Sequence, residues 1–324
     1  MIIPEYWAEA KTRKIINGKT VTLKRFGWSD NSASEAQHNA EQRVDEALVR
    51  LTAGEKIRRV DHKVPYNGAE GLPIREEIIS KHNDVIITRN SYGALCLNTP
   101  DVLFADIDYI STPGYGVYIL STLSLLLAST GVALYFNSWA TFLGLVFLTL
   151  ILTSTVAQFI FNIINTSKGG VDNIALQPIK NFSQQYPDWH LRIYRTPLGY
   201  RILTMHQTFD PGGEDTHDFF KATSTDPLYM KMCKNQQCFR ARLTPKPWRI
   251  GMTHITPRPG VWPINPTRLP ARLKWIQEYD RISRDYAACS FMTRLGSKTI
   301  DAKAAAIQKL HDDYCQSDKG LPIA

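Results

Sequence analysis

The sequence has no G-x-x-x-x-G-K-[ST] loop, no G-x-G-x-x-G fingerprint and no serine in a G-x-S-x-G setting. The P-loop, the Rossmann dinucleotide site and the nucleophile elbow are therefore not the basis of its chemistry. Cysteine is scarce and scattered: five residues, an odd number, which does not suit a secreted disulfide framework and fits a reducing compartment. The first residues, MIIPEYWAEAKTRK, have no apolar core of signal-peptide length, and their charges and Pro4 argue against a cleaved secretory signal. The most informative absence is of charge. No charged residue occurs in 117–136 (VYILSTLSLLLASTGVALYF) or in 140–164 (ATFLGLVFLTLILTSTVAQFIFNII).

Each of these stretches is long enough to cross a hydrocarbon core of about 30 Å as a helix. Only Asn-Ser-Trp separates them, so they are expected to form a tight antiparallel hairpin, with Tyr118, Tyr135, Phe136 and Trp139 near the interfaces. The connecting turn carries no Lys or Arg, whereas the flanks carry Arg75, Lys81, Arg89, Lys168 and Lys180. The positive-inside rule then puts both soluble arms in the cytoplasm. The expectation is a two-pass protein of a bacterial inner membrane, with the lipid bilayer as one partner. Across the 324 residues the formal net charge is +8 and the isoelectric point is about 9.2. Such a balance suits an anionic partner, a nucleotide, a single-stranded nucleic acid or lipid headgroups, and equally suits a chain whose Lys and Arg only set its orientation.

The soluble arms read as α+β. Strand formers around Asn17-Gly18 predict a hairpin over 14–28. Ser32 and Glu35 predict a capping box opening a helix over 32–54, closed by Gly54, with Val44, Ala47, Leu48 and Leu51 as its apolar stripe. Residues 64–77 are rich in Gly, Pro and Asn and read as a loop. DVIITRN and ALCLN form a strand pair around Tyr92-Gly93. Strands are expected at 102–108, 190–196, 200–209 and 238–244, with PLG joining the middle two and helix over 215–235. Residues 244–270 are too Pro-rich for regular structure, and two helices are expected at 271–296 and 301–316. The segments fall into 1–108, ending in the first sheet strand; the hairpin, 117–164; the rest of the sheet, 165–250; and a Pro-rich wrap with C-terminal helices, 251–324. With the membrane hairpin set aside, the order is βαββαβ, the ferredoxin-like or palm-like arrangement, with a transmembrane hairpin inserted in its first crossover. Many binding modules share that order, so it does not choose a function.

The candidate chemistry lies in FADID. Asp106 and Asp108, two apart on a strand, project from one face. Like charges that close repel unless a cation lies between them, and Mg²⁺ or Mn²⁺ takes carboxylates together with substrate phosphates. The plainer reading is two solvated acids ending a strand. Arg192, Arg195, Arg201, Arg240, Arg242, Lys246 and Arg249 fall on the following hairpin and last strand, and Arg240 and Arg242 share a face. Arginine matches phosphate oxygens, and the interleaved Tyr194, Tyr200, Phe239 and Trp248 suit stacking on bases. Cys233-x4-Cys238 and His311-x3-Cys315 supply zinc-ligand types, but the pairs are loosely spaced and distant, so they are expected not to converge, to remain reduced thiols and to bind no stoichiometric zinc.

FADID followed by YRTPLGYRIL resembles the core of archaeo-eukaryotic-type primases. In that family a D-x-D on the first palm strand precedes a hairpin with a Ser or Thr, a Gly and a His. The resemblance covers about a third of the chain. It implies metal binding and catalysis at Asp106 and Asp108, and phosphate contact on the hairpin from Thr196 to Arg201, with Arg195 and Arg242 beside it. Arg201 stands where the family's His falls, and Asp210 is the candidate third acid. FADIDYIST is also similar to the first strand of class III nucleotidyl cyclases and diguanylate cyclases, whose hairpin carries a further acid that TPLGYR lacks. The expected activity is metal-dependent nucleotidyl or phosphoryl transfer. The alternative is a membrane-anchored scaffold or nucleotide- or nucleic-acid-binding protein with an inert acid pair. The topology is testable directly: a periplasmic phosphatase fused at Asn137 should be active and one at the C-terminus inactive, and activity at the C-terminus overturns it.

Overall fold

Residues 3–16, 18–61, 72–258, 260 and 262–324 are described by a computed structural model. The alternation near the start builds strands β1 (Tyr6–Ile16) and β2 (Lys19–Ser29), longer than the sequence suggests. Of the expected turn, Asn17 lies outside the described residues, as do positions 64–71 of the expected loop. Helix α1 (Ala33–Thr52) starts where Ser32 Oγ accepts the Glu35 N–H at 3.1 Å. The reciprocal half of the capping box is diverted, because the Glu35 carboxylate accepts instead from Ser29 Oγ and Asn31 Nδ2. Ala36, Ala40, Val44 and Ala47 form the buried face, and Leu48 and Leu51 pack at its margin. This face lies so close to β2 that a Cβ on Gly27 would stand 2.1 Å from Ala36 O.

Two four-stranded antiparallel sheets carry the rest. One runs β3 (Glu77–His82), β4 (Val85–Arg89), β5 (Leu95–Thr99), β9 (Phe239–Arg242). The Asn90 side chain shapes the β4–β5 turn by accepting three backbone N–H groups, from Tyr92, Gly93 and Ala94. The other sheet runs β10 (Ser290–Gly296), β7 (His190–Thr196), β8 (Gly199–Thr204), β6 (Phe104–Asp108).

The expected chain order is present, but β9 does not join the ladder of β6. The outer edge of β6 is already satisfied: Asp106 O accepts the Asp226 N–H at 3.1 Å, and the Tyr229 hydroxyl lies 3.0 Å from Phe104 O and 2.9 Å from Arg240 O. Tyr229 is thus wedged between β6 and β9, and β9 takes β5 as its partner. Asp226 and Tyr229 belong to α6 (Pro227–Gln236) and its cap, split from α5 (Glu214–Ala222) at Asp226-Pro227. The single helical stretch expected there is therefore two helices.

Helices α2 (Tyr115–Tyr135) and α3 (Trp139–Ser167) are each long and apolar enough to cross a membrane and are largely exposed. They meet through small residues, Ser121, Ser129, Ala133, Thr149 and Ala157, with Ser129 and Thr149 hydroxyls 3.2 Å apart. Small interfaces and interhelical hydroxyl bonds are how apolar helices pack without a hydrophobic driving force between them.

Helix α4 (Gly170–Gln185) follows at once. It is the helix that the βαββαβ order puts between the first two strands, and its polar residues leave only a short stripe, Ala175, Ile179 and Phe182, to pack on the sheet. The expected helix over 271–296 also divides. Only α7 (Leu269–Ser283) is helical, and SFMTRLG becomes β10, whose alternation matches its place beside β7. Helix α8 (Ala302–Cys315) is capped by Asp301 and covers the other face of that sheet.

The β7–β8 link decides which side chains share a face. Gly199 pairs with Thr196 and Asp108, so the turn is only Pro197-Leu198. At Gly199 φ is +156°, and a Cβ there would lie 1.9 Å from Ile107 O. Gly199→Ala should therefore force β8 off β6, an overpacking penalty of about 1–3 kcal/mol. It should lower the melting temperature, while Gly114→Ala, at a position with open space, should not; differential scanning fluorimetry of the two variants checks this.

Candidate functional site

Asp106 and Asp108 do share a face, at the end of β6. Opposite Asp106 in the ladder stands Arg201, and opposite Ile107 stands Tyr200. Arg201 is almost fully buried, and its Nε and Nη2 donate to Asp106 Oδ1 and Oδ2 at 2.8 and 3.3 Å. Its Nη1 donates to Arg242 O at 2.8 Å and lies 3.3 Å from His311 Nε2. Burial opposes the charge of this guanidinium, but the Asp106 carboxylate outweighs it and holds Arg201 protonated above its ordinary range. Arg201 therefore grips Asp106 from below.

Arg195 is on the other face. A two-residue turn pairs Arg195 with Tyr200 and Tyr194 with Arg201, so the two arginines project oppositely. A three-residue PLG turn would have put them together, since one step of register flips every side chain. Arg195 instead binds Asp172 of α4 at 2.8 Å, where the Tyr109 and Tyr200 hydroxyls also donate to Asp172 Oδ1 at 2.5 and 2.7 Å. This cluster fastens the start of α4, and so the exit of the apolar hairpin, to the ends of β6 and β8.

Above Asp106 a cavity of about 200 Å³ opens between the two sheets. Asp106, Asp108, Thr196, Arg201 and Arg242 all line it. Six further charged residues line it: Asp226 at the cap of α6, Lys246 and Arg249 in the Pro-rich segment after β9, Arg240 and its partner Glu76, and Arg75, which is paired with Glu9. Arg240 and Arg242 share a face as expected, but Arg240 is neutralised by a two-oxygen pair with Glu76 and by Asn98. Asp210, the sequence candidate for a third acid, turns its carboxylate to the Gly212 N–H and does not line the cavity. Asp226 takes that position, and only the helix-capping pair Asp226-Pro227 hints at it in the sequence.

The charges are segregated. On one wall Asp108 is pushed above the ordinary carboxylate range by burial and by the negative charges of Asp106 and Asp226. On the other, Lys246 is pushed below its ordinary value by burial and by Arg242 and Arg249, and Arg249 is likewise lowered by burial and Arg242. Among the described residues, none of Asp108, Asp226, Arg242, Lys246 and Arg249 is in a salt bridge. Each wall holds repelling like charges that an opposite charge from outside would relieve.

The zinc-type residues separate in part. Cys238 packs with Ile3 and Ile74 in its own cluster, away from His311 and Cys315, as the spacing suggests. His311 and Cys315 do meet a third ligand type, Cys289, which the sequence reading passed over. All five cysteines are buried and reduced.

The two acids should respond oppositely to neutralisation. Asp106→Asn orphans a buried guanidinium and should cost about 3 kcal/mol, the low end for such pairs because Asp106 is 35% exposed. Asp108 binds its proton more tightly in the folded chain than in the unfolded one, so its contribution to stability falls as pH rises through its raised pKa. Asp108→Asn should therefore raise the melting temperature at neutral pH and should do so less at pH 4, which thermal denaturation at the two pH values checks. No protein family, no curated protein and no solved structure matches the chain.

Proposed function

We propose that the cavity binds a phosphate-bearing ligand together with a divalent cation, and that the protein is a membrane-anchored, cytoplasm-facing enzyme of metal-dependent nucleotidyl or phosphoryl transfer. The observation that carries this reading is the segregation of charge outside direct ion pairs: Asp108 and Asp226 on one wall, Arg242, Lys246 and Arg249 on the other. A phosphate group satisfies the basic wall, and a hard cation such as Mg²⁺ or Mn²⁺ satisfies the acidic one. The donor set fits such an ion. Among the described residues Asp108 is in no salt bridge, and each Asp106 oxygen that accepts from Arg201 keeps a second lone pair. A bound divalent cation would supply charge neutralisation for the transferring phosphoryl group.

The roles of the protein's own residues follow. Arg201 is a positioning residue: it holds Asp106 in one orientation and is too committed to reach a ligand. Arg242, Lys246 and Arg249 bind and orient phosphate oxygens, and Thr196 offers a hydroxyl from the β7–β8 turn. Tyr92 and Trp248, whose rings meet edge to face at 5.2 Å, lie beside the basic wall and suit contact with a base. Under this reading β6, β8 and β7, with the D-x-D on the first of them, would form the palm core that the primase resemblance implies, and α2 and α3 would anchor the domain by crossing the bilayer.

A second reading rests on a specific observation, the grip of Arg201 on both oxygens of Asp106. In it the protein is a non-catalytic anchor that binds nucleotide or nucleic acid through the basic wall alone. Calorimetry on the full-length chain in detergent separates the two. The enzyme reading expects saturable Mn²⁺ binding in the presence of ATP, lost in Asp108→Asn, and at least a tenfold weaker ATP affinity in Lys246→Ala and Arg249→Ala, about 1.4 kcal/mol or more. Binding of ATP without any Mn²⁺ contribution leaves the second reading. Binding of neither overturns both.

A further inference from the structure

Below Arg201, on the α8 side of the sheet, lies a second cluster with different chemistry. Residues four apart on a helix share a face, so His311 and Cys315 project together from the last turns of α8. Cys289, in the segment leading into β10, meets them. The Cys289 Sγ, His311 and Cys315 Sγ ligand atoms all lie within 4.8 Å of one another, and all three residues are fully buried. Among the described residues no other group of three His, Cys, Asp or Glu is this convergent. The backbone fixes the arrangement, since Ala288 N–H donates to Cys315 O at 3.0 Å and Phe291 N–H to Ser317 O at 3.0 Å.

We propose that Cys289, His311 and Cys315 form a buried site for a thiophilic d¹⁰ ion, Zn²⁺ or Cu⁺, that staples α8 to the sheet beneath the cavity. Two thiolates and an imidazole select soft ions over Mg²⁺ or Ca²⁺. The imidazole is oriented for the task. Its Nδ1 lies 2.9 Å from Asp312 Oδ1, so the proton sits there and the lone pair of Nε2 faces Cys289, 3.9 Å away. Asp312 is itself held, by Arg192 Nη2 and Gln308 Nε2, each at 2.8 Å. A carboxylate behind a histidine in this way fixes the tautomer of metal-binding histidines.

With Zn²⁺ the charges also balance. Two thiolates neutralise a divalent ion, Arg201 is neutralised by Asp106, and Asp312 by Arg192. The one competitor for Nε2 is Arg201 Nη1, at 3.3 Å. That nitrogen also donates to Arg242 O at the shorter distance of 2.8 Å, so it keeps a partner when Nε2 turns to a metal. Binding releases two thiol protons to solvent and changes no oxidation state.

Elemental analysis decides it. The full-length chain, tag removed, is purified in detergent under reducing conditions with added Zn²⁺ or Cu⁺ and then desalted. One ion per chain is expected, and its identity distinguishes the two metals. Cys289→Ser/Cys315→Ser should lose it, while Cys233→Ser, a buried cysteine outside the cluster, should keep it. Should the double variant fail to fold, the wild type still answers: Co²⁺ replacement should give a thiolate-to-cobalt charge-transfer band. A folded, reduced wild type that retains no stoichiometric ion and gives no such band overturns the proposal. So does an ion that survives in the double variant. Neither outcome bears on Mn²⁺ binding at Asp108.

Discussion

The pair of Arg201 and Asp106 is the contact on which the site depends. A guanidinium at 2% exposure joins four elements at once: β8, which carries it, β6 through Asp106, β9 through Arg242 O, and α8 through its approach to His311. Taking such a group out of water costs several kcal/mol unless its hydrogen bonds are met with good geometry. Here its nitrogens meet the two oxygens of Asp106, the Arg242 carbonyl and the His311 ring. The fold is thereby committed to one placement of Asp106 and, one alternation further, of Asp108. It also ties the two sheets together where no β6–β9 ladder does.

From that fixed point the cavity follows. Tyr229 and the Asp226 N–H close the outer edge of β6, which keeps β9 one step away and leaves room between the sheets. The room is lined by like charges on each wall, an arrangement that disfavours the isolated fold. Proteins keep such local costs where a ligand removes them. The same sheet presents a different balance on its other face. There Arg195, Tyr109 and Tyr200 all bond to Asp172 and tie α4 to the strand ends. One face is built for rigidity and the other holds charge in reserve. Because α2 starts seven residues after Asp108, the reserve lies close to the apolar hairpin.

Much of this was legible in residue order. Uncharged runs of that length have few alternatives to long apolar helices, because each buried charge would cost more than a short helix gains. Alternation around Gly93 determined the β4–β5 pair, and the two-residue spacing of Asp106 and Asp108 determined that they share a face, as it did for Arg240 and Arg242. Local signals were weaker where two structures use the same composition. The stripe of α4 is only Ala175, Ile179 and Phe182, and SFMTRLG continues a helical pattern smoothly enough to hide a strand that exists because β7 offers it an edge.

What only the tertiary structure decided concerns register and distance. A turn of two residues rather than three sent Arg195 to the far face and Arg201 to the near one, and nothing in TPLGYR alone fixes that count; the close approach of Gly199 to Ile107 O does. Asp226 became a wall of the cavity because α6 caps the edge of β6, a contact between residues far apart in the chain. Cys289 met His311 and Cys315 for the same reason, through pairing of the segment before β10 with the end of α8. Sequence patterns set which face a side chain takes within its own element, because that depends on local backbone geometry. Which elements then meet depends on hydrogen bonds and packing between distant segments, and those are formed only in the folded chain.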